Sequence, residues 1–495
     1  MNPTISSPIR ITLVAAVILG SAGCRSTDYF KAKRIEEADR AFMTLQRQII
    51  EGRSMTLVEC IDEALKHNID ISVGKLQEAI AHERKTAAKL GMLPDLTISY
   101  ERTGRNNDSA SRSVNVETGA DSLVSSYSSE RREHSSKVEL LVSTLDFGLA
   151  YMNSEQAADR EEFAMQQHRR TAQNVVFEVV KAYFRVATAQ HAIETTQAML
   201  VKSQEIEKTL EELEANKMIS PLQALSERKQ LISMRKQLME SERSYDNCRT
   251  ELCSLLGYAP SSDFKVDTSC LNQFRPFAVP EVEKMDRLAL HARPELFQND
   301  TQADMLLWES RKAILNMFPN VQLFGDLAYS SNKYLYNQAW WEVGARSAYN
   351  LLRLPGKYKE YQAIGKEQKQ VDLQQLALSL GIISQVHICY GNIVEVEARY
   401  TFDDRIFQAY QRQLELARQD LAAGGSSSRF YVNRLELETA QAAIDRIRTL
   451  GDYYVSYYRL INSIGVGSIA EDELIRQADA VETEAVRRAL KRYSR

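Results

Sequence analysis

Residues 149–220 read LAYMNSEQAADREEFAMQQHRRTAQNVVFEVVKAYFRVATAQHAIETTQAMLVKSQEIEKTLEELEANKMIS, without a proline or a glycine. Helix formers dominate, and Val175, Val179, Ala182 and Val186 recur at three- and four-residue steps. At 1.5 Å per residue such a run reaches about 100 Å, several times the width of an ordinary core. A rod of that length must pack along other rods or span a gap. Immediately upstream, Lys137 to Leu145 alternates, with Val138, Leu140 and Val142 on one face, and leads into Leu145-Asp146-Phe147-Gly148. The problem set by this sequence is a strand that feeds a very long helix.

Working back toward the N-terminus, Asp95-Leu96-Thr97-Ile98-Ser99-Tyr100 is another alternating strand. Before it, residues 56–90 read as helix, opened by a Thr56 cap with Glu59 three residues on and closed by Gly91 and Pro94. A polar, Ser-rich loop, residues 103–136, separates the two strands. Forward from the rod, Ile219-Ser220-Pro221 makes a turn and Leu222 to Leu256 returns, Pro221 sitting where a helix begins. The same programme then recurs. Pro94 to Pro319 spans 319 − 94 = 225 residues, and Leu65 to Leu290 gives 225 again. Gly148 to Gly356, Ser220 to Ser428 and Gly257 to Gly465 each give 208. The register changes only between the strands, where the first copy's loop is longer by 225 − 208 = 17 residues.

This predicts a mainly α fold carrying four strands, built from a duplicated helix–strand–strand–helix–helix repeat. The expected parts are a leader at 1–23, a surface segment at 24–55 and a first repeat at 56–256. In that repeat the strands fall near 95–102 and 137–146, with a hairpin at 149–256. A linker at 257–285 holds three of the ten prolines. The second repeat covers 286–466, with strands near 320–330 and 339–349 and a hairpin at 356–465. A charged, mobile tail is expected at 467–495.

The N-terminus is a targeting segment. Arg10 precedes an apolar run, Ile11 to Gly20, too short to span a bilayer as a helix. Ser21-Ala22-Gly23-Cys24 resembles a lipoprotein signal, with Ser21 departing from the usual Leu or Val. It implies cleavage before Cys24 and acylation of its thiol; Ser26 matches the outer-membrane-bound class. Plain secretion by cleavage after Ala22 is the alternative. The remaining cysteines, Cys60, Cys248, Cys253, Cys270 and Cys389, form no zinc spacing and read as small apolar residues. A net charge of −4 suggests neither nucleic acid nor an anionic membrane as partner.

Each strand is about as long as a tilted strand needs to cross a bilayer. One face is apolar, and Trp340 and Trp341 are candidates for an aromatic girdle; the other carries Thr97, Ser99, Glu101, Gln322, Asp326 and Glu342. An open four-stranded sheet leaves edge groups unsatisfied in lipid, and four strands are too few to close a barrel. If these strands cross a membrane, several chains must pool them. A soluble sheet packed on helices is the other reading.

Met55 to Ile71 (MTLVECIDEALKHNIDI), Ser143 to Gly148 (STLDFG), Ile219 to Leu225 (ISPLQAL) and, opening the second copy, Leu288 to Leu296 (LALHARPEL) resemble, within a programme that runs twice with strands between, the TolC family of outer-membrane factors. The resemblance covers essentially residues 56–466. It implies a homotrimer with a 12-stranded barrel, a long periplasmic α-helical tunnel and an equatorial belt. It also implies an outer-membrane duct serving a periplasmic adaptor and an inner-membrane pump. It further implies adaptor-contacting helical turns, here Lys217, Met218, Ser220 and Pro221 in the first repeat and Gly424, Gly425 and Ser428 in the second. Family members often carry two inward acids just after the second turn; an ungapped match places Tyr431 and Arg434 there. A slip of two residues restores Glu436. Three inward copies of Arg434 would disfavour cations.

No catalytic constellation emerges. His82-Glu83 lacks a second ligand for metal hydrolysis. Both Ser226-Glu227-Arg228-Lys229 and Ser72-Val73-Gly74-Lys75 fit a four-residue nucleophile pattern, which shows how little it discriminates. There is no phosphate-cradling glycine loop. The reading is a passive conduit, without cofactor, metal or nucleic acid; its main rival is a non-pore periplasmic adaptor or coiled-coil scaffold lipoprotein.

Overall fold

Thr56 starts the repeated programme with a capping box: its hydroxyl accepts from Glu59 N–H (3.3 Å) while the Glu59 carboxylate accepts from Thr56 N–H (2.9 Å). The computed structural model describes residues 27–46, 51–107, 109–111, 114, 117–121, 124, 126–424, 429–467, 474–481 and 483. In chain order these form α1 (Thr27–Gln46), β1 (Glu51–Met55), α2 (Leu57–His67), α3 (Ile69–Leu90), β2 (Asp95–Gly104), β3 (Ser109–Ser111), β4 (Ser126–Ser129) and β5 (Arg132–Ser143). There follow α4 (Thr144–Ala215), α5 (Pro221–Leu256), β6 (Asp263–Val266), α6 (Val282–Ala292), α7 (Pro294–Leu315), β7 (Asn320–Ser330), β8 (Ala339–Ala348), α8 (Leu354–Ala422) and α9 (Arg429–Ile464). The signal segment and Cys24 lie outside the described residues.

The duplication is visible in the lengths. Helices α2 and α6 both have 11 residues, α3 and α7 both 22, and α5 and α9 both 36. The rods α4 and α8 have 72 and 69. The helix expected at 56–90 is broken at Asn68, whose backbone is extended (φ −64°, ψ 132°). Its counterpart 225 residues on is Arg293, held extended by Pro294 (φ −68°, ψ 120°). Each joint caps a returning helix: the Asn68 amide donates to Leu255 O at 2.9 Å, and Arg293 donates to Asn462 O at 3.3 Å. Each needs a glycine beside it. Gly257 and Gly465 have φ of +75° and +82°, and an added Cβ would come within 2.6 Å of His67 O or 3.0 Å of the Arg293 side chain.

The chain folds as two units. One contains the described residues up to 68, with 178–273 and 403–451. Here β1 pairs in parallel with β6, and Met55 is fully buried. Within the surface segment expected at 24–55, residues 27–46 are helical and 51–55 are a strand built into this unit. Downstream, Ala192, Met199, Leu210, Leu231, Leu437 and Ile444 form an apolar seam.

The other unit contains 69–177, 274–402 and the described residues from 452 on. Its core gathers Met285, Ile382, Val386, Tyr453, Tyr457 and Leu460. Phe277 from the linker stacks on Tyr457, with ring centroids 3.7 Å apart. Leu474 and Ala478 are buried in the same core, and Lys284 pairs with Asp479 at 3.0 Å. Part of the tail expected to be mobile is therefore packed, because these two apolar side chains lie one turn apart on a short helix.

This unit also holds one antiparallel sheet in the order β2-β5-β7-β8. Adjacent residues point to opposite faces, so register fixes the rows. Ile98, Val138, Leu327 and Trp341 form one lateral row; Thr97, Glu139, Asp326 and Glu342 form the next, on the opposite face. Lys137 holds the polar row together, 2.8 Å from Asp326 and 2.9 Å from Glu139. Trp340 lies opposite Ala328 on the polar side, so only Trp341 stands on the apolar face, contrary to the expectation for the pair. The strand expected at 137–146 runs instead from Arg132 to Ser143, and α4 begins at once at Thr144.

Candidate functional site

The residues with the best sequence claim to function sit at two helical turns, both in the first of these units. At the first turn α4 ends in a paired closure: Met218 N–H donates to Leu213 O at 2.8 Å and Lys217 N–H to Glu214 O at 3.0 Å. Lys217 takes the left-handed position, φ 56°, usually given to glycine. Ser220 then caps α5, its hydroxyl accepting from Gln223 N–H at 3.2 Å, with Pro221 in the first turn. Met218, Leu222 and Leu225 are exposed, leaving an apolar knob on a charged hairpin. At the second turn Gly424 has φ +72° and its N–H donates to Leu421 O at 3.2 Å. Gly425 and Ser428 lie outside the described residues.

Behind the turns, ion pairs tie the four helices together. Arg228 pairs with Glu214 (2.9 Å) and Arg235 with Glu207 (2.5 Å), joining α4 to α5. Tyr431 accepts from the Gln413 amide at 2.9 Å, joining α8 to α9. Arg434 bonds Glu438 one turn along α9 and Glu227 on α5, both at 3.0 Å. Those two carboxylates hold its guanidinium further toward the charged form than usual, the Glu438 hydrogen bond first. Its expected role as an unopposed positive charge therefore meets two compensating negatives.

Glu436 stands apart. Three residues separate Tyr431 from Arg434, close to one helical turn, but five separate Tyr431 from Glu436, which turns it to another side of α9. Its side chain is 12% exposed, paired with Lys202 of α4 and with Arg418 of α8 at 2.5 Å. It lines a cavity of about 300 Å³ with Met199, Phe407, Leu414 and Leu437. The structure thus brings Tyr431 and Arg434 together and directs Glu436 to an interhelical ion triad. Lys202, Arg418 and Glu227 escaped sequence reasoning; their only signal was a charge flanking an apolar helical seam.

Comparison with known proteins fits this architecture. Residues 60–258, the first repeat, match the family described as outer membrane efflux protein. Comparison with curated protein sequences gives no match. Among solved structures, the fold is similar to the Campylobacter jejuni CmeC outer membrane channel, with TM-score 0.64 and 15% identity over 86% of this chain and 89% of that one. It is similar to the open state of the Neisseria gonorrhoeae MtrE outer membrane channel, with TM-score 0.66 and 16% identity over 83% and 89%. The outer membrane protein VceC of Vibrio cholerae gives TM-score 0.63 and 15% identity over 83% and 96%. The TolC-like fold expected from the motifs is the fold observed.

Proposed function

We propose that this chain, with an outer-membrane-efflux first repeat and a channel fold, is the exit duct of a tripartite efflux or type I secretion assembly. Three copies pool four strands each into a 12-stranded barrel. Their helices line a periplasmic tunnel, and substrates pass without chemistry, driven by an inner-membrane pump through a periplasmic adaptor. The exposed Met218, Leu222 and Leu225 suit a hydrophobic contact with the adaptor. Acylated Cys24 would add a lipid anchor in the outer membrane. The long polar loop is a candidate lid: Tyr127 stacks on Tyr334 (6.1 Å) and Glu130 pairs with Lys333 (3.2 Å), tying it to the turn between β7 and β8.

One observation carries the reading. The sheet has an apolar face, a charged face and two unpaired edges, β2 and β8. A soluble sheet would bury the apolar face, yet Leu96, Ile98, Tyr100, Leu327 and Trp341 are exposed. In lipid that face is solvated, and closure with other copies satisfies the edges.

Single-tryptophan variants test this directly. Trp341 fluorescence should be quenched by bromines on lipid acyl chains, whereas Trp340 should respond only to an aqueous quencher. Equal aqueous quenching of both would contradict a membrane-spanning sheet.

A further inference from the structure

The apolar face of the sheet finishes differently at its two ends. Helices α4 and α8 leave from one end; the long polar loop and the turn between β7 and β8 cap the other. From the row of Val142, Leu323 and Ala345 to the row of Tyr100, Ser136, Tyr329 and Ala339, register places no charged residue on this face. At the tunnel end the next pair, Val321 opposite Ser347, is uncharged too. At the loop end the next pair is Arg102 opposite His134, followed by Arg132 opposite Gly104. Both arginines and His134 are exposed. Among the described residues neither arginine has a carboxylate partner. Cations therefore border only one edge of the apolar band.

The row just below them alternates large and small, Tyr100, Ser136, Tyr329 and Ala339. The small members leave a groove of about 440 Å³, lined on this face by Ser136, Val138, Leu327, Tyr329, Ala339 and Trp341. Lys137, Glu139 and Asp326, on the opposite face, do not reach it. His134 stands one row above, its ring 6.2 Å from that of Tyr100 and 6.1 Å from that of Tyr329. The backbone fixes it there. His134 N–H donates to the Ser331 hydroxyl at 3.0 Å, and Ser331 N–H donates to His134 O at 2.9 Å.

An apolar groove under unpaired guanidinium groups suits a molecule with an acyl chain and a phosphate. The chain removes apolar surface from contact with disordered lipid, and the planar guanidinium fork matches phosphate oxygens in pairs. Arginines at the edge of the hydrocarbon keep their charge at headgroup depth, where it costs little. With the tunnel in the periplasm, the loop end meets the outer leaflet, whose main lipid is lipopolysaccharide. Its lipid A part carries acyl chains and phosphates together. The tunnel end, lacking cations on this face, offers inner-leaflet phospholipid no equivalent site.

We infer that this face holds lipid A, an acyl chain in the Val138–Leu327–Trp341 groove and a phosphate on Arg102, His134 and Arg132. The site rests on the reading of this face as lipid-exposed, and adds which lipid it selects and where.

The test is native mass spectrometry of full-length protein, stripped of lipid in neutral detergent. It is titrated with lipid A, with dephosphorylated lipid A and with phosphatidylglycerol, and bilayer conductance is recorded in parallel. Lipid A should add a discrete, saturating mass increment for each chain. The other two lipids should bind at least about tenfold more weakly, the loss of one charge-assisted hydrogen bond. Arg102→Gln with Arg132→Gln should weaken lipid A by a similar factor, and Ala339→Leu, which fills the groove, should do the same without removing a charge. Conductance should be unchanged in both variants. Equal binding of dephosphorylated lipid A or of phosphatidylglycerol would overturn the assignment. So would the absence of retained lipid A on a particle that still inserts and conducts, a result that spares the pooled barrel. A particle that neither inserts nor conducts would overturn the barrel and the lipid site together.

Discussion

Lys217 is the one non-glycine residue with positive φ among the described residues, and like Gly424 it lies two residues past the end of its rod. A left-handed backbone costs a side-chain-bearing residue about 1–2 kcal/mol, partly offset because glycine loses more entropy on folding. Lys217→Gly should therefore stabilise the turn by about 0.5–1 kcal/mol, read as slower amide exchange at Lys217 and Met218. Unchanged or faster exchange would show that the turn carries no strain. At this scale the sequence was legible wherever chemistry and spacing are local. Thr56 with Glu59, and Ser220 with Pro221, announced their caps. It was silent where partners come from distant helices, as with Glu227 on Arg434, separated by 207 residues.

Helices α3 and α4 are joined by a charged cluster in which Glu161 meets His82 and Lys85, each at 2.6 Å. The Lys85 hydrogen bond, then that from His82, holds the Glu161 carboxyl below its ordinary value of 4.5. A lowered carboxyl contributes stability above its unfolded value and loses it as pH falls through the folded one. Glu161→Gln should thus lower the unfolding temperature at neutral pH, and the gap should close on acidification below the ordinary carboxylate range. The effect is small, under about 1 kcal/mol, because the cluster is partly wet. A gap that persists undiminished at low pH would mean the loss is packing, not charge. The elements themselves were readable from pattern: alternation marked four strands, the absence of breakers marked the first rod, and the repeat offset marked the second, which carries Gly365, Gly381 and Gly391 within it. The break at Asn68 was not, because no proline stands there and the extended backbone is held by a distant carbonyl, Leu255 O. Nor were β1 and the packed segment around Leu474, whose partners arrive from elsewhere in the chain.

For the whole molecule, the repeat offsets of 225 and 208 reveal the plan in the sequence alone, because duplication preserves spacing where packing forbids insertion. What they could not reveal was which surfaces stay bare. An exposed apolar sheet face and two free edges belong to a chain that completes itself with copies of itself. A non-pore scaffold would have no use for all of them together. The most direct measurement is planar-bilayer conductance of the purified mature protein, with its mass in detergent determined on the same sample. Stable single-channel steps from a trimer-sized particle are the predicted result. A monomer that leaves the bilayer silent would contradict the pooled barrel.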